Sequence, residues 1–423
     1  MAQLTDDCFA FSGPLLPIAD MERMIAERVQ PVTETENVPL AAARGRVLAH
    51  DVTAPIDLPP FDNSAVDGYA VRHRDLDGKA ETTLTVAGRL TAGSTAANPI
   101  QAGHAIRIFT GAPMPAGADT VFMQEDVRVE NGTVIVPAGL KAGANRRLAG
   151  EDVRKGSVVL PAGRRLAVQD VALAAAIGLT KLDVRRRVRV ALFSTGDEIV
   201  EPGKAKPTAA LYDANRTLLD GMLDRLGADV TDLGIIKDDP AALEKAIAKA
   251  ARDHDLVLTS GGVSTGEADH VRRAVEMIGR LVFWRVAIKP GRPVAMGVVQ
   301  GSTGSSAAFV GLPGNPVAAF VTFARVVRPL LLRLGGASPE PLIALPVRLA
   351  FPYKKKTGRR EYVRVALRPG KDGVIEAVKH PQEGAGVITS LTETDGLAEL
   401  GENITTLEPG ATVGFLSYAT LMG

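Results

Sequence analysis

The sequence has a single cysteine, Cys8, among its 423 residues. One cysteine excludes an internal disulfide framework and a thiolate metal cluster, so we expect a reducing, cytoplasmic location. The six histidines include no pair at metal-ligand spacing, which gives a zinc hydrolase no support. The net charge is only +1, and this near balance argues against a general nucleic-acid binder.

Aromatic side chains and long apolar runs are also scarce. Aromatic residues make up 4% of the chain, so its cores must be built mainly from aliphatic side chains. The most apolar helix candidate, Val317 to Leu334, is interrupted by three arginines and is not a membrane span. No secretory signal is apparent. We therefore expect a protein with no membrane partner.

The texture of the sequence changes twice, which predicts three regions. Residues 1–187 carry short apolar runs between Gly and Pro, a pattern typical of small twisted sheets. Residues 188–336 alternate strand-like and helix-like segments, which implies a largely parallel sheet covered on both faces. Residues 337–423 return to extended segments, and the turn Gly370-Lys-Asp-Gly373 predicts a hairpin there. The sequence thus predicts a multidomain α/β fold whose outer regions are β-rich.

Polar, Gly-rich motifs fall at the carboxyl ends of the predicted central strands. In an open α/β sheet ligands bind at that edge, so we expect the motifs to share one rim and to form a binding site. They are Ser194-Thr-Gly-Asp-Glu198, Lys237-Asp-Asp239, Ser260-Gly-Gly-Val-Ser264, Lys289-Pro-Gly-Arg-Pro293 and Gly311-Leu-Pro-Gly-Asn315.

The chemistry of this rim suits a phosphate-bearing ligand with a metal. Gly261 and Gly262 allow backbone N–H groups to approach an anion, although a Gly-Gly pair is also typical of a tight turn. Carboxylates of the rim are oxygen ligands suited to Mg²⁺, and Lys or Arg would neutralise oxyanions. The carboxylates are Asp197, Glu198, Asp238, Asp239, Glu267 and Asp269, and the cations are Arg285, Lys289 and Arg292. Asp239 is also a candidate helix N-cap, and Arg285 could equally face solvent from a strand.

The N-terminal region holds a second group of polar motifs. Pro59 to Ala70 packs polar groups beside aromatic anchors, which is typical of a loop with defined side-chain positions. Thr110 to Pro115 and Arg146 to Asp152 are of the same kind. Asp67, Glu151 and Asp152 could supply further ligands, although Asp67 before Gly68 is as typical of a turn.

With these motifs, the chain resembles the MoeA family of molybdopterin molybdenumtransferases, which includes the E domain of gephyrin. The resemblance covers essentially the whole chain and is carried by PPFDNSAVDGYA, TGAPMP, GEDV, ALFSTGDE, LGIIKDDP, SGGVSTGEAD, AIKPGRP and GLPGNPV in family order. It implies an elongated homodimer with a discontinuous pair of N-terminal domains. It also implies a central domain similar to molybdopterin adenylyltransferases, a small C-terminal β-barrel and an active site between subunits.

The family reaction takes adenylylated molybdopterin and molybdate with Mg²⁺ and yields molybdenum cofactor and AMP. The resemblance implies that Glu198, Asp238 and Asp269 hold the metal and act in catalysis. It assigns the catalytic Asp67 and Asp152, with Thr110, to the N-terminal region. The substrate-binding residues it implies are Thr110, Ser260, Gly261, Gly262, Arg285, Lys289 and Arg364, with Lys289 and Arg364 facing molybdate.

Three positions depart from the family pattern. Ala318 and Ala385 stand where serines often face the oxyanion, and Arg285 stands where a lysine is common. The choice between molybdate and tungstate therefore stays open. Two alternative functions remain: a molybdopterin adenylyltransferase and a non-catalytic scaffold.

Overall fold

The computed structural model describes residues 15–95, 98–263, 270–301 and 304–423, with the backbone alone at residues 282–284. Its hydrophobic clusters define a central α/β unit, a C-terminal barrel and two N-terminal units. The predicted multidomain α/β fold is confirmed. No helix in the described residues is long and apolar enough to cross a membrane.

The first helix, Ile18–Arg28, packs into the core of the central unit. The spacing of Met21, Met24 and Ile25 predicts this helix, and all three side chains are buried. Two hydrogen bonds attach the segment after it to the last helix of the central unit: Val32 N–H donates to the carbonyl of Leu334 (2.8 Å), and Arg333 Nε donates to the carbonyl of Val29 (2.9 Å). The N-terminal segment therefore supports a sheet that lies far away in sequence.

One N-terminal unit is built from two separate stretches of chain, residues 35–53 and 158–185. Antiparallel pairs join the stretches, and Leu48, Leu160 and Leu182 lie in its small core. Its elements are the strands Thr35–Pro39, Val52–Thr53, Val158–Leu160 and Lys181–Arg185 and the helices Leu40–Ala43 and Val168–Ala176.

Residues 54–157 form the second N-terminal unit, inserted between those two stretches. A six-stranded sheet makes up most of it, in the order Thr120–Met123, Gly68–Val71, His104–Ile108, Thr82–Leu90, Thr133–Val136 and Arg128–Glu130. A short antiparallel pair, Asn63–Ser64 with Arg146–Arg147, and the 3-10 turns His73–Asp75 and Gln124–Asp126 complete it. The short strands separated by glycines explain the Gly-rich texture of this region.

The central unit is a six-stranded sheet in which Pro293–Gln300 alone runs against the common direction. A separate parallel pair, Ile199–Val200 with Leu211–Tyr212, lies outside this sheet. The strand order is Asp229–Ile236, Arg189–Thr195, Leu256–Ser260, Ser306–Leu312, Pro293–Gln300 and Gly279–Arg285. The carboxyl ends of the other five strands therefore lie at one edge, together with Pro293.

Helices cover both faces of this sheet because successive side chains of a strand point to opposite faces. Leu192 lies in the core under one helix layer and Phe193 in the core under the other. The first layer contains Asn215–Arg225 and a long helix composed of Pro316–Thr322, the π turn Phe323–Val327 and Arg328–Leu334. The second layer contains Pro240–Asp253 and His270–Ile278.

The C-terminal unit is a closed barrel of five strands. Closure comes from the pairing of Arg360–Pro369 with Gly396–Leu400. The strand order around the barrel is Arg360–Pro369, Ile375–Lys379, Leu345–Leu349, Thr412–Ser417 and Gly396–Leu400. The pair Tyr353–Lys354 with Thr406–Leu407 and the helices Thr389–Thr392 and Tyr418–Met422 flank it.

The predicted hairpin is present, since Arg360–Pro369 pairs antiparallel with Ile375–Lys379. The strand Gly396–Leu400 is not apparent from the sequence, because Leu, Ala and Glu are good helix formers. A two-residue strand, Ile288–Lys289, leaves the central unit and pairs in parallel with Arg360–Glu361. This pairing fixes the Lys289 loop against the barrel.

Candidate functional site

The glycine loop after Leu256–Ser260 lies against the end of the neighbouring strand. Gly261 has φ +88°, and a Cβ there would come within 2.3 Å of the carbonyl oxygen of Thr195. At Gly262, with φ +68°, a Cβ would come within 2.4 Å of Val271 Cγ2. Only glycine fits the approach of two backbones at Gly261, and at Gly262 a Cβ at this positive φ would collide with the side chains of Val271 and Thr195. Gly261 and Gly262 are therefore required by the geometry of this edge.

Asn215 connects this loop to the next strand end. Its Nδ2 donates to Ser260 Oγ (2.8 Å) and to the carbonyl of Gly314 (2.7 Å). Asn215 is buried at the start of a helix, where an asparagine usually has a local capping role, so the sequence alone did not single it out. These two hydrogen bonds hold the segments that contain Ser260 and Gly314 next to each other.

Two neighbouring strands bring acidic side chains together at the same edge. Thr195 pairs with Ile236, so the segments that carry Glu198 and Asp238 leave adjacent strands. Burial raises the pKa of the Asp238 carboxyl, and the charges of Asp197 and Glu198 raise it further, while His270 acts in the opposite direction. Among the described residues, Asp238 Oδ1 is buried without a hydrogen-bond partner. A bound cation would satisfy this oxygen.

The donor set fits Mg²⁺ in the manner usual for that ion. Mg²⁺ is commonly held by one or two carboxylates together with phosphate oxygens of a ligand, and Glu198 with Asp238 supplies such a pair. No group of three or more His, Cys, Asp or Glu residues in the part of the chain that the structure describes is arranged to hold a metal by itself. The predicted ligand Asp269 and its neighbour Glu267 lie outside the described residues. Asp239 is the N-cap of the helix Pro240–Asp253, because its Oδ1 accepts from Ala242 N–H (2.8 Å).

A cavity of about 360 Å³ opens between the central unit and the barrel. The residues Lys289, Arg364, Ala318 and Ala385 all line it, although the sequence separates them widely. Its other cationic residues are Arg292, Arg359 and Lys379, and its carboxylates are Glu361 and Glu383. This excess of positive charge suits a multivalent oxyanion.

Arg364 is a buried cation that forms no hydrogen bond or ion pair with a carboxylate of the described residues. The residue is 6% exposed, and burial lowers the pKa of its guanidinium. Its Nε donates to Ser390 Oγ (3.1 Å), and its terminal nitrogen Nη2 donates to the carbonyls of Gln382 (3.1 Å) and Gly384 (3.2 Å). All of these acceptors are neutral. Glu383 acts on Arg364 only through its charge, so an anion in the cavity would be its first directly bonded counter-charge.

Lys289 is held at the cavity wall by Glu361, a residue that the sequence analysis did not identify. Glu361 is 1% exposed and accepts from Lys289 Nζ (3.2 Å), Tyr353 OH (2.9 Å) and Arg359 Nε (2.9 Å). Burial by itself raises the pKa of this carboxyl, but the three hydrogen bonds outweigh burial and lower it. Glu361 is therefore an ionised anchor for the donors around the cavity.

Arg285 lies at the same edge of the sheet but is not part of the cavity wall. It is the last residue of the outermost strand, Gly279–Arg285, where it pairs with Pro293 and is exposed. Its carbonyl accepts from Leu16 N–H (3.0 Å). The substrate-binding role predicted for Arg285 therefore depends on a ligand that extends beyond this cavity.

The three N-terminal motifs fold together within residues 54–157. Asp67 Oδ1 accepts from both the N–H and the hydroxyl of Thr110, each at 2.8 Å, and these bonds lower the pKa of Asp67. Asp152 N–H donates to the carbonyl of Leu58 (3.1 Å). Within the described residues, no hydrogen bond or ion pair joins residues 54–157 to residues 188–423. One chain thus presents two groups of site residues without a direct bond between them.

Comparison with known protein families gives matches along most of the chain. The model of the MoeA N-terminal region (domain I and II) matches residues 16–178. The model of a probable molybdopterin binding domain matches residues 191–333, and that of the MoeA C-terminal region (domain IV) matches residues 346–418.

Individual relatives are similar over nearly their full length. A protein of Haemophilus influenzae named molybdopterin molybdenumtransferase is 37% identical over 414 residues, which cover 97% of this chain and all of that protein. A protein of the same name from Nostoc sp. is 37% identical over 387 residues, covering 90% and 88% of the two chains. The crystal structure of a molybdopterin biosynthesis moeA protein from Pyrococcus horikoshii OT3 has a TM-score of 0.79 at 29% identity, covering 96% of this chain and 100% of that one.

Proposed function

This chain belongs to the MoeA family, and from that premise we propose that it joins molybdate to adenylylated molybdopterin and releases AMP. It is an enzyme of molybdenum cofactor biosynthesis that transfers molybdenum to molybdopterin. The adenylylated form of the pterin, molybdate as the metal source, the release of AMP and the use of Mg²⁺ are the specific parts of the proposal.

The proposal rests on one observation. Residues 313–316 lie between the strand ends that carry Glu198 and Asp238, here called the acidic edge, and the cationic cavity. Asn215 links Gly314 to Ser260, which directly precedes the glycine loop, and Pro313 and Asn315 line the cavity. The proposed substrates have matching parts, because adenylylated molybdopterin carries a phosphoanhydride and molybdate is a dianion. A metal-supporting edge beside an anion cavity would hold both at once.

Residues of the acidic edge would bind the phosphoanhydride end of the substrate. Glu198 and Asp238 would hold Mg²⁺, and the backbone at Gly261 and Gly262 would approach the phosphates. When bound, Mg²⁺ would polarise the anhydride and offset the charge on the departing AMP. The ligand role of Asp269 stays a prediction.

Residues of the cavity would bind molybdate. Lys289 and Arg364 would neutralise the dianion, with Lys289 presented by Glu361 and Arg364 by neutral acceptors. Methyl groups stand at Ala318 and Ala385, so charge and not hydroxyl donors would supply the attraction there. The dithiolene sulfurs of the pterin would displace oxygens of molybdate, which leave as water, and water would hydrolyse the phosphoanhydride to release AMP, so no covalent enzyme intermediate is needed.

We propose further that the protein is a homodimer in which Asp67, Thr110 and Asp152 complete the site of the partner subunit. The support is the lack of any hydrogen bond or ion pair, within the described residues, between residues 54–157 and residues 188–423. A symmetric dimer would bring each N-terminal group to the cleft of the other copy.

The decisive experiment measures AMP after the protein is incubated with adenylylated molybdopterin, Mg²⁺ and molybdate. We expect AMP release that depends on molybdate, and a loss of about 100-fold or more in Glu198→Gln. Asp229→Asn is a control, because Asp229 is an exposed acid at the opposite end of a central strand. AMP formation that is absent, or unchanged without molybdate, would overturn the proposal.

The metal assignment has a test that does not depend on turnover. Without metal, Asp238→Asn should be at least as stable as wild type at neutral pH, because it removes a buried charge whose carboxyl has a raised pKa. Added Mg²⁺ should raise the Tm of wild type and of Asp229→Asn but not that of Asp238→Asn. Equal Mg²⁺ shifts in the three proteins would show that Asp238 does not hold the metal.

A further inference from the structure

Two arginine side chains converge on one aromatic ring beside Asp67 and Thr110. The guanidinium carbon of Arg89 lies 4.7 Å from the centroid of the Phe109 ring, and that of Arg107 lies 4.9 Å from it. Arg107 is also 5.0 Å from the centroid of Tyr69. Both cations are therefore held by stacking on aromatic rings and not only by long flexible chains.

The sheet of residues 54–157 fixes these positions. Arg107 pairs with Arg89 on one side and with Tyr69 on the other, so the three side chains form a row across three strands. Phe109 follows two residues after Arg107, and its N–H donates to the carbonyl of Leu90 (3.2 Å). Residues two apart along an extended strand point to the same face. Phe109 directly precedes Thr110, whose N–H donates to Asp67, and Arg107 is close enough to Asp67 for its charge to lower the pKa of that carboxyl.

Neither arginine forms an ion pair with a carboxylate of the described residues, although the charge of Arg107 helps to lower the pKa of nearby Asp67. Among the described residues, Arg107 donates to the carbonyl of Gly68 (3.3 Å) and to Gln124 Oε1, both neutral, and Arg89 has neither an ion pair nor a hydrogen bond. Two like charges held near one ring repel each other, and the repulsion is relieved when an anion binds between or beside them.

Other arginines of the same unit are paired differently. Arg128 makes two hydrogen bonds to Glu81, at 3.0 and 2.6 Å, and Arg72 makes two to Asp75, each at 2.7 Å. In both cases a carboxylate of the same unit neutralises the arginine. Among the described residues, Arg89 and Arg107 have no carboxylate partner of this kind, and their shared ring, Phe109, directly precedes the predicted substrate residue Thr110.

We propose that Arg89, Phe109 and Arg107 form a binding surface for the phosphate groups of the adenylylated pterin, continuous with Asp67 and Thr110. This inference rests on the proposed function, because it names further residues that bind the same substrate. Guanidinium groups bind phosphate oxygens with two parallel hydrogen bonds, and stacking keeps the fork oriented. Asp67 uses Oδ1 for Thr110, which leaves Oδ2 to accept from an O–H or N–H group next to the phosphate.

Direct binding is tested with AMP as the probe, titrated calorimetrically into the full-length protein at low salt. Arg89→Gln and Arg107→Gln should each weaken AMP binding by about 10-fold, the scale of a charge-assisted hydrogen bond to phosphate. The control Arg128→Gln removes an exposed arginine of the same sheet that is paired with Glu81, and it should bind AMP as wild type does.

Turnover gives a second measurement on the same variants. The KM for adenylylated molybdopterin should rise about 10-fold in Arg89→Gln, while the KM for molybdate and kcat stay near wild type. Arg89→Lys keeps the charge and should recover part of the loss. Because Arg107 packs on Tyr69, Arg107→Gln could affect folding, so the exposed Arg89 provides the deciding variant.

The results separate this inference from the proposed function. Wild-type AMP affinity and KM in Arg89→Gln would overturn the binding surface even if the enzyme releases AMP in response to molybdate. Loss of AMP binding in Arg89→Gln, in a protein that shows no molybdate-dependent AMP release, would support the surface and overturn the reaction.

Discussion

At the scale of single residues, the cavity depends on a buried carboxylate in its own wall. Glu361 accepts hydrogen bonds from Lys289, Tyr353 and Arg359 and is itself 1% exposed. Lys289 was predicted from its position before Pro290-Gly291, where a loop has no structural need for a lysine. Glu361 was missed, because an acidic residue within a basic stretch looks like a surface residue until the fold buries it.

Glu361→Gln should destabilise the protein. At neutral pH we expect the free energy of unfolding to fall by about 1–3 kcal/mol, because the amide leaves buried donors without an ionised acceptor. Urea denaturation measures this change, and Glu402→Gln is the matched control on a partly exposed partner of Arg360. A smaller loss in Glu361→Gln than in Glu402→Gln would contradict the anchoring role.

The same substitution has a predicted pH dependence. The pKa of Glu361 is lowered from its ordinary value of 4.5, so its contribution to stability is fully present above about pH 4.5 and is lost as the pH falls through the lower folded value. The difference in stability between wild type and Glu361→Gln should therefore shrink on acidification below pH 4.5. A difference that grows there would mean that the sign of the shift is wrong.

Lys289→Ala should separate molybdate from nucleotide. We expect the KM for molybdate to rise about 10-fold with little change in AMP affinity, because Lys289 lines the cationic cavity and not the glycine loop. The exposed Lys354, one residue after Tyr353, gives the control Lys354→Ala. Equal losses in molybdate and AMP binding would refute the division of roles.

At the scale of elements, the site is made by strand ends. Alternation of strands and helices predicted the central sheet, and the rule for ligands at carboxyl strand ends predicted which loops meet. From the sequence, Gly261 and Gly262 are typical both of a phosphate-binding loop and of a tight turn. The structure adds a steric reason for its glycines, since the Thr195 carbonyl lies where a side chain at Gly261 would begin.

Gly261→Ala should therefore be damaging. We expect a loss of at least about 1–3 kcal/mol in stability, because alanine is strained at φ +88° and its Cβ would meet the Thr195 carbonyl. Gly221→Ala is the contrasting variant: Gly221 lies in the helix Asn215–Arg225, and a Cβ added there would meet no atom within 4 Å, so alanine should add about 0.5–1 kcal/mol. Thermal denaturation of both variants checks the prediction, which fails if they shift Tm in the same direction.

At the scale of the whole molecule, the predicted site residues fall into two groups on different units. Lys289 and Arg364 meet because the strand Ile288–Lys289 pairs with the barrel. Asp67 and Thr110 bind each other, but no bond among the described residues connects them to the central unit. The homodimer proposed above would bring Asp67 and Thr110 to the central unit of a second copy.

Two inactive variants should complement each other if the site is shared. A heterodimer of Asp67→Asn and Glu198→Gln subunits, purified with two different tags, should recover about half of the wild-type activity, because one of its two sites contains no substitution. Each homodimer should remain inactive. If the heterodimer is as inactive as the parents, both groups act within one subunit and the dimer proposal is wrong.

The sequence by itself determined the type of each unit and the residue types of the site. Periodicity reports local burial, so it predicted the helix from Ile18 and the buried strand before Gly261. The strand-end motifs predicted Lys289, and the resemblance to the MoeA family implied Arg364. Tertiary structure alone decided which distant segments meet. The first helix joins the central core, Glu361 lies beneath Lys289, and Arg89 meets Arg107 on Phe109. These contacts depend on the path of the chain and on strand pairing across long separations, and no local pattern encodes either of them.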